Sequence, residues 1–102
     1  MKEQVMNWYG SLEDLKEKIN NSDEMGALDS SNAILKRWGE IDEVWSTLIP
    51  HNELDTIMLS MLKLKSNVET KMFNDALEEV DKTTFLVGHI KSKVSLEIKN
   101  IF

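Results

Sequence analysis

His51 and Asp55 are a pair of residues whose types and spacing could support chemistry. They are four residues apart, so in a helix both side chains would share one face, and the carboxylate could orient the imidazole ring. Such a pair could be half of a metal or acid–base site. Such a pair is also common in helical proteins without any function. His51 would then cap the corner, and the carboxylate of Asp55 would be stabilised by the positive end of the helix dipole. A ligand- or metal-binding bundle that uses His51 and Asp55 is therefore one alternative function.

The motifs that usually accompany catalysis are missing from the sequence. A di-iron bundle needs two Glu-x-x-His pairs, but Leu48 and Leu86 stand three residues before the two histidines, His51 and His89. The chain has no cysteine, no His-Glu-x-x-His motif, no glycine-rich phosphate loop and no Gly-x-Ser-x-Gly elbow. We therefore predict a protein that is not an enzyme, with no catalytic, cofactor-binding or metal-ligating residues and no cofactor.

The composition predicts a single helical domain over residues 1–102. The chain is 41% apolar and 29% charged, with one proline and four isolated glycines among many strong helix formers. Its net charge of −6 disfavours a nucleic-acid partner, because phosphate groups would be repelled. The acidic stretches at residues 40–43 and 78–81 are predicted to be solvated helix faces. No apolar run approaches the roughly 20 residues that span a bilayer, so we predict no direct membrane insertion by these residues.

Apolar residues at spacings of three and four predict helices over residues 2–20, 22–48, 51–68 and 71–96. Pro50 should end the second helix by Leu48, because proline forces the preceding residue out of the α region. Asn21 or Ser22 should begin the second helix, and Asn52 should cap the third. The stripes predicted to be buried are Val5, Trp8, Leu12, Leu15 and Ile19; Met25, Leu28, Leu35, Trp38, Ile41, Trp45 and Leu48; Leu54, Ile57, Met58, Met61 and Leu62; and Phe73, Ala76, Leu77, Val80, Val87, Ile90 and Val94.

The links between these helices are short, which implies that consecutive helices are antiparallel neighbours. The predicted fold is all-α, an antiparallel four-helix bundle made of two helical hairpins. A short helical stack resembling tetratricopeptide (TPR-like) repeats is the alternative, because the second and third helices have about the size of that repeat. The sequence shows no internal repeat of the signature residues, which favours the bundle.

The three tryptophans and several methionines each allow two interpretations. Trp8, Trp38 and Trp45 could line a binding groove, but large aromatic residues in a small helical domain usually pack in its core. Met58, Met61 and Met72 could form an adaptable surface for a partner, although methionine more often fills gaps in a core. Core packing is the prediction for both groups.

Four segments of the chain resemble the DUF4363 family: residues 38–45, residues 51–57, the Ala76-Leu77-x-x-Val80 segment and the terminal residues 99–102. This family comprises short proteins of unknown function from clostridia and related bacteria. Its members usually begin with a hydrophobic anchor, so the resemblance implies the extracytoplasmic part of a membrane-anchored bacterial protein. The sequence shows no such anchor, and a cytoplasmic location is the alternative. The family carries no established catalytic residues, so the resemblance implies none here.

The preferred function is a structural or protein-interaction domain whose partner is a membrane protein or a second copy of the chain. We expect its docking surface at Trp8, at the methionine-rich face of the third helix or at Ile101 and Phe102. The alternative is a homo-oligomeric helical bundle in which the second and fourth helices pair across a two-fold axis.

Overall fold

Four α-helices make up nearly all of the chain. The computed structural model describes the backbone of residues 2–101 and the side-chain environments of residues 3–95. The helices are α1 (Lys2–Asn20), α2 (Glu24–Trp45), α3 (His51–Glu69) and α4 (Phe73–Ile101), and the described residues contain no β-strand. The prediction of an all-α fold is confirmed.

The helices pack as two antiparallel hairpins that form a four-helix bundle. α1 packs against α2 and α3 against α4, while contacts between α2 and α3 and between α1 and α4 complete the ring. The contact of α1 with α4 closes the bundle, and this closure favours the bundle over the TPR-like stack. At that contact the Nζ atom of Lys16 lies 3.7 Å from a carboxylate oxygen of Asp81, and burial raises the pKa of the Tyr9 hydroxyl.

The buried stripe of α2 was predicted wrongly in the first half of the helix. Met25 and Leu28 are exposed, and the core positions are instead Ala27, Ser31 and Ile34. This stripe is difficult to recognise in the sequence, because the polar Ser31 interrupts its apolar pattern. Its burial is possible since its hydroxyl donates a hydrogen bond to the backbone carbonyl of Leu28 at 2.8 Å.

The same kind of error affects α3. Leu62 was predicted to be buried but is exposed, whereas Leu64 is buried two residues later. The buried apolar residues Leu54, Ile57, Met61, Leu64 and Val68 recur at steps of three and four, and Leu62 falls outside that stripe.

Both hairpin turns end the preceding helix with a Schellman motif. After α1, the N–H of Asp23 donates to the carbonyl of Lys18 and the N–H of Ser22 donates to the carbonyl of Ile19. Ser22 has a φ of 58°, in the left-handed region. The turn after α3 repeats this pattern, with Lys71 at a φ of 61°. Two non-glycine residues therefore occupy positions that glycine usually fills.

The helix caps differ from their predictions. Asp23, not Asn21 or Ser22, caps α2: its carboxylate accepts a hydrogen bond from the N–H of Gly26 at 2.9 Å. Pro50, not Asn52, is the N-cap of α3 and provides no side-chain hydrogen bond. Pro50 has φ and ψ of −54° and 140°, so its ψ is not helical and α3 begins at the next residue. Proline suits this position because a helix start does not need its N–H.

Ser22→Gly is expected to stabilise the protein by about 0.5–1 kcal/mol, because a non-glycine residue in the left-handed region costs about 1–2 kcal/mol and the extra entropy of glycine in the unfolded chain offsets part of that gain. Urea unfolding followed by circular dichroism would measure the change. Asn21→Gly is the matched control, since Asn21 does not have a positive φ, and it should destabilise. Equal destabilisation by both substitutions would contradict the left-handed turn.

Candidate functional site

The pair predicted from the sequence, His51 and Asp55, lies on the surface. The Nε2 atom of His51 is 3.6 Å from a carboxylate oxygen of Asp55, and the two side chains are 80% and 61% exposed. Within the described part of the chain, no group of three or more histidine, aspartate or glutamate residues is placed to hold a metal ion. The two residues do come together, but a solvated pair without a third ligand does not support the metal-binding alternative.

The three tryptophans lie in the core, as predicted from their type and spacing. Trp8, Trp38 and Trp45 are almost completely buried. The ring centroid of Trp38 is 5.6 Å from that of Trp8 and 5.7 Å from that of Trp45, where the two rings are perpendicular. None of the three indole N–H groups has a hydrogen-bond acceptor among the described residues. The prediction of a docking surface at Trp8 is therefore wrong, because the side chain of Trp8 is inaccessible.

The methionines expected on one face of α3 do not form a continuous surface. Met61 is buried in the core, Met58 is half-buried, and Met72 is exposed beyond the end of α3. Met61 is inaccessible, so the three methionines do not form one exposed docking face, and the prediction of core packing is wrong for Met72. The other predicted location, the side chains of Ile101 and Phe102, lies outside the described residues.

A buried polar cluster joins α3 to α4. The Ser60 hydroxyl donates to a carboxylate oxygen of Glu79 at 2.7 Å, and its oxygen lies 2.7 Å from the Thr83 hydroxyl. Thr83 in turn donates to the backbone carbonyl of Glu79 at 2.7 Å. The Nζ atom of Lys63 lies 3.6 Å from the other oxygen of the carboxylate. The residue Glu79 is 5% exposed, so its assignment to a solvated face was wrong.

The chemistry of this cluster is structural. Ser60 and Glu79 have the groups of a nucleophile and a base, but both are buried between two helices, where a substrate has no access. The hydrogen bonds specify how α3 and α4 are aligned, because a shift of one residue would leave a buried carboxylate without a donor. One sequence signal was available: Glu79 follows Ala76, which was predicted to be buried, by three residues.

A shallow groove of about 190 Å³ lies between the first half of α3 and the middle of α4. Buried Ile57 and Ile90, with half-buried Leu86, form its apolar base, while Thr56 and His89 are exposed at its rim. Glu53 also lines the groove, and its carboxylate forms an ion pair with Lys93. Sequence reasoning missed this groove, because its residues come from two helices and each helix alone shows an ordinary pattern.

Each of the two helices that form the groove carries an exposed apolar side chain near it in sequence. Leu59 of α3 is 66% exposed and Phe85 of α4 is 73% exposed. In helical geometry Leu59 lies one turn after Thr56, and Phe85 lies one turn before His89. We call the surface formed by Thr56, Leu59, Phe85, Leu86 and His89 the α3–α4 face. It combines a groove with adjacent apolar side chains that the core leaves in water.

The charges of α4 are distributed unevenly around this face. The carboxylates of Glu78 and Asp81 are exposed before Phe85, whereas Lys91 and Lys93 follow it. Lys91 also lies against the aromatic ring of Tyr9, 5.8 Å from its centroid. The exposed charges before Phe85 are mixed, because Lys82 follows Asp81, and the charged residues that follow Phe85 in the described side chains are basic.

A family model described as Domain of unknown function (DUF4363) matches residues 1–101. No curated protein and no solved structure matches the chain. None of the described helices combines the length and the apolar character needed to cross a membrane.

Proposed function

The chain belongs to the DUF4363 family, and from that membership and its exposed apolar face we propose that it is a non-enzymatic protein-interaction domain. The α3–α4 face is its docking surface. The observation that carries the proposal is the exposure of Phe85 and Leu59 on the two helices that form an apolar groove.

Exposed apolar residues are common one at a time, and only their grouping has functional meaning. Here an exposed aromatic side chain and an exposed leucine stand on the two helices that form a groove with an apolar base. A partner that covers the α3–α4 face would remove both side chains from water. Aromatic residues in such positions often dominate the binding energy of an interface.

The groove is small for a cofactor or a drug-sized ligand, which usually occupies a pocket of about 300–1,000 Å³. Its size suits one side chain of a protein partner. This comparison favours an interaction domain over a ligand-binding bundle.

We also propose that the domain acts outside the cytoplasm, beside the membrane of a bacterial cell. The support is the family membership, because members of this family usually carry a hydrophobic anchor before the helical domain. A membrane protein or a second copy of the chain is the expected partner.

The proposal is tested by affinity capture from source-cell membranes with the native chain and with Phe85→Glu as bait. We expect the variant to lose at least about tenfold of the captured partner, because a buried carboxylate at the centre of an interface costs more than about 1.4 kcal/mol. Circular dichroism should show that Phe85→Glu remains folded, since the side chain is exposed.

Met6→Glu is the matched control, because Met6 is a similarly exposed apolar residue, at 63%, but lies on α1. It makes the same change of charge outside the α3–α4 face and should retain the partner. Equal capture by the native chain and Phe85→Glu, or no specific capture by the native chain, would count against the proposed surface.

A further inference from the structure

We propose that the bundle opens along the contact between α1 and α4, with the corner at residues 46–50 as the hinge, before either hairpin unfolds. We call this contact the α1–α4 seam. The open form is a minor state, because it exposes apolar core residues to water, and in it each hairpin keeps its own packing. The inference is independent of the α3–α4 face, which lies within one hairpin.

The first support is the distribution of the hydrogen bonds that join one helix to another. Arg37 of α2 donates to the backbone carbonyl of Asn7 at 3.0 Å and to the Ser11 hydroxyl at 2.6 Å, both in α1. The buried cluster of Ser60 and Glu79 joins α3 to α4 in the same way. Among the residues that the structure describes, no hydrogen bond joins the first hairpin to the second. Directional bonds therefore align the helices within each hairpin and not the two hairpins with each other.

The second support is the composition of the α1–α4 seam. Its ion pair joins Lys16 to Asp81 at 3.7 Å, and the Asp81 side chain is 77% exposed, so water weakens the attraction. Lys91 lies 5.8 Å from the centroid of the Tyr9 ring. Gly88 brings no side chain to the seam, although a methyl group there would lie 4.0 Å from the Tyr9 hydroxyl. Apolar core packing is therefore the main force that keeps this seam closed.

The third support is that the opposite contact, between α2 and α3, is held at both ends. At one end residues 46–50 connect the two helices covalently. At the other end the Nζ atom of Lys71 lies 3.4 Å from a carboxylate oxygen of Glu24. Local openings of a protein often follow supersecondary units such as helical hairpins. Separation of the two hairpins therefore begins between α1 and α4.

Thiol labelling tests the inference, since the chain has no cysteine. Val87→Cys places one thiol at a fully buried position of α4, next to Gly88. Ser11→Cys places one thiol at a buried position of α1 that contacts Arg37 of α2. The rate of reaction with a thiol reagent is measured in each variant without urea. Urea unfolding of the same variant gives its global stability, so any stability lost through the substitution is taken into account.

We expect the thiol at position 87 to react at least about tenfold faster than global unfolding of that variant allows. The thiol at position 11 should react only as fast as global unfolding allows, because α2 still covers it in the open form. Reaction of both thiols through global unfolding alone would overturn the inference. Fast reaction at position 11 would also overturn it, since α1 would then separate from α2.

Asp81→Lys in the Val87→Cys chain tests whether the seam controls this opening. The substitution replaces attraction to Lys16 by repulsion, so we expect labelling to become about fivefold faster. Glu78→Lys is the matched control, because Glu78 is an exposed residue of α4 with no ion pair in the described part of the chain. It makes the same change of charge and should alter the rate by less than about twofold. Equal effects of the two substitutions would exclude the α1–α4 seam as the place of opening.

Discussion

Trp38→Ala is expected to lower the free energy of unfolding by about 3–5 kcal/mol. The side chain of Trp38 is completely buried, and its ring packs between those of Trp8 and Trp45. Alanine would leave a cavity beside the rings of Trp8 and Trp45, and close-packed neighbours relax into such a cavity only in part. Urea unfolding followed by circular dichroism measures the loss, which is a large fraction of the usual stability of a small domain, about 5–15 kcal/mol.

Trp38→Phe separates the contribution of the ring from that of the indole N–H. This donor has no acceptor among the described residues, so its removal relieves the cost of an unpaired buried group. We therefore expect a smaller loss, of about 1–2 kcal/mol. Val44→Ala is the control in the same helix, because Val44 is exposed, and it should be nearly neutral. A loss below about 1 kcal/mol for Trp38→Ala would show that the tryptophan does not organise the core.

Ser60→Ala is expected to destabilise the protein by about 1.5–3 kcal/mol, the usual value for a hydrogen bond to a charged group. The substitution removes the hydroxyl that donates to the buried carboxylate of Glu79. That oxygen would then have no donor from α3, and Lys63 reaches only the other carboxylate oxygen, at 3.6 Å. Thermal or urea unfolding would measure the effect, with Ser92→Ala as a control at an exposed serine of α4.

Adding Glu79→Leu to the Ser60→Ala variant is expected to restore the stability that Ser60→Ala alone loses. The double substitution replaces a hydrogen-bonded polar pair by apolar groups, and such replacements are often neutral or stabilising. Lys63 is left without its partner, but its side chain is exposed and stays hydrated. A double-mutant cycle should therefore show a coupling of more than about 1 kcal/mol. Additive losses in the two single variants would mean that Ser60 and Glu79 act independently.

Glu79 is not part of the docking surface, but it helps to align the two helices that form it. Its hydrogen bond from Ser60 joins α3 to α4, and these two helices also form the groove. The alignment of the two helices places Thr56 and Ile57 opposite Leu86, His89 and Ile90. A substitution of Ser60 or Glu79 that disturbs this alignment should therefore change the shape of the groove, although no residue of the groove has been replaced.

The helical class and the position of the corner could be predicted from local sequence alone. Helical period identified all four elements, and Pro50 marked the start of α3 because its ring restricts the backbone of its neighbour. The burial of Trp8, Trp38 and Trp45 also followed from residue type and spacing. The resemblance to the DUF4363 family is confirmed by the match over residues 1–101.

The tertiary structure decided which side of each helix faces the core and what remains exposed. Met25 and Leu28 were expected inside, but α2 is rotated so that Ala27 and Ser31 face the core instead. Glu79 is buried because α3 supplies a hydroxyl and a lysine, and no pattern within α4 reports those partners. The groove and the exposure of Phe85 likewise depend on how two helices lie against each other. Helical period and proline sterics act over a few residues, whereas burial depends on neighbours that are distant in the chain.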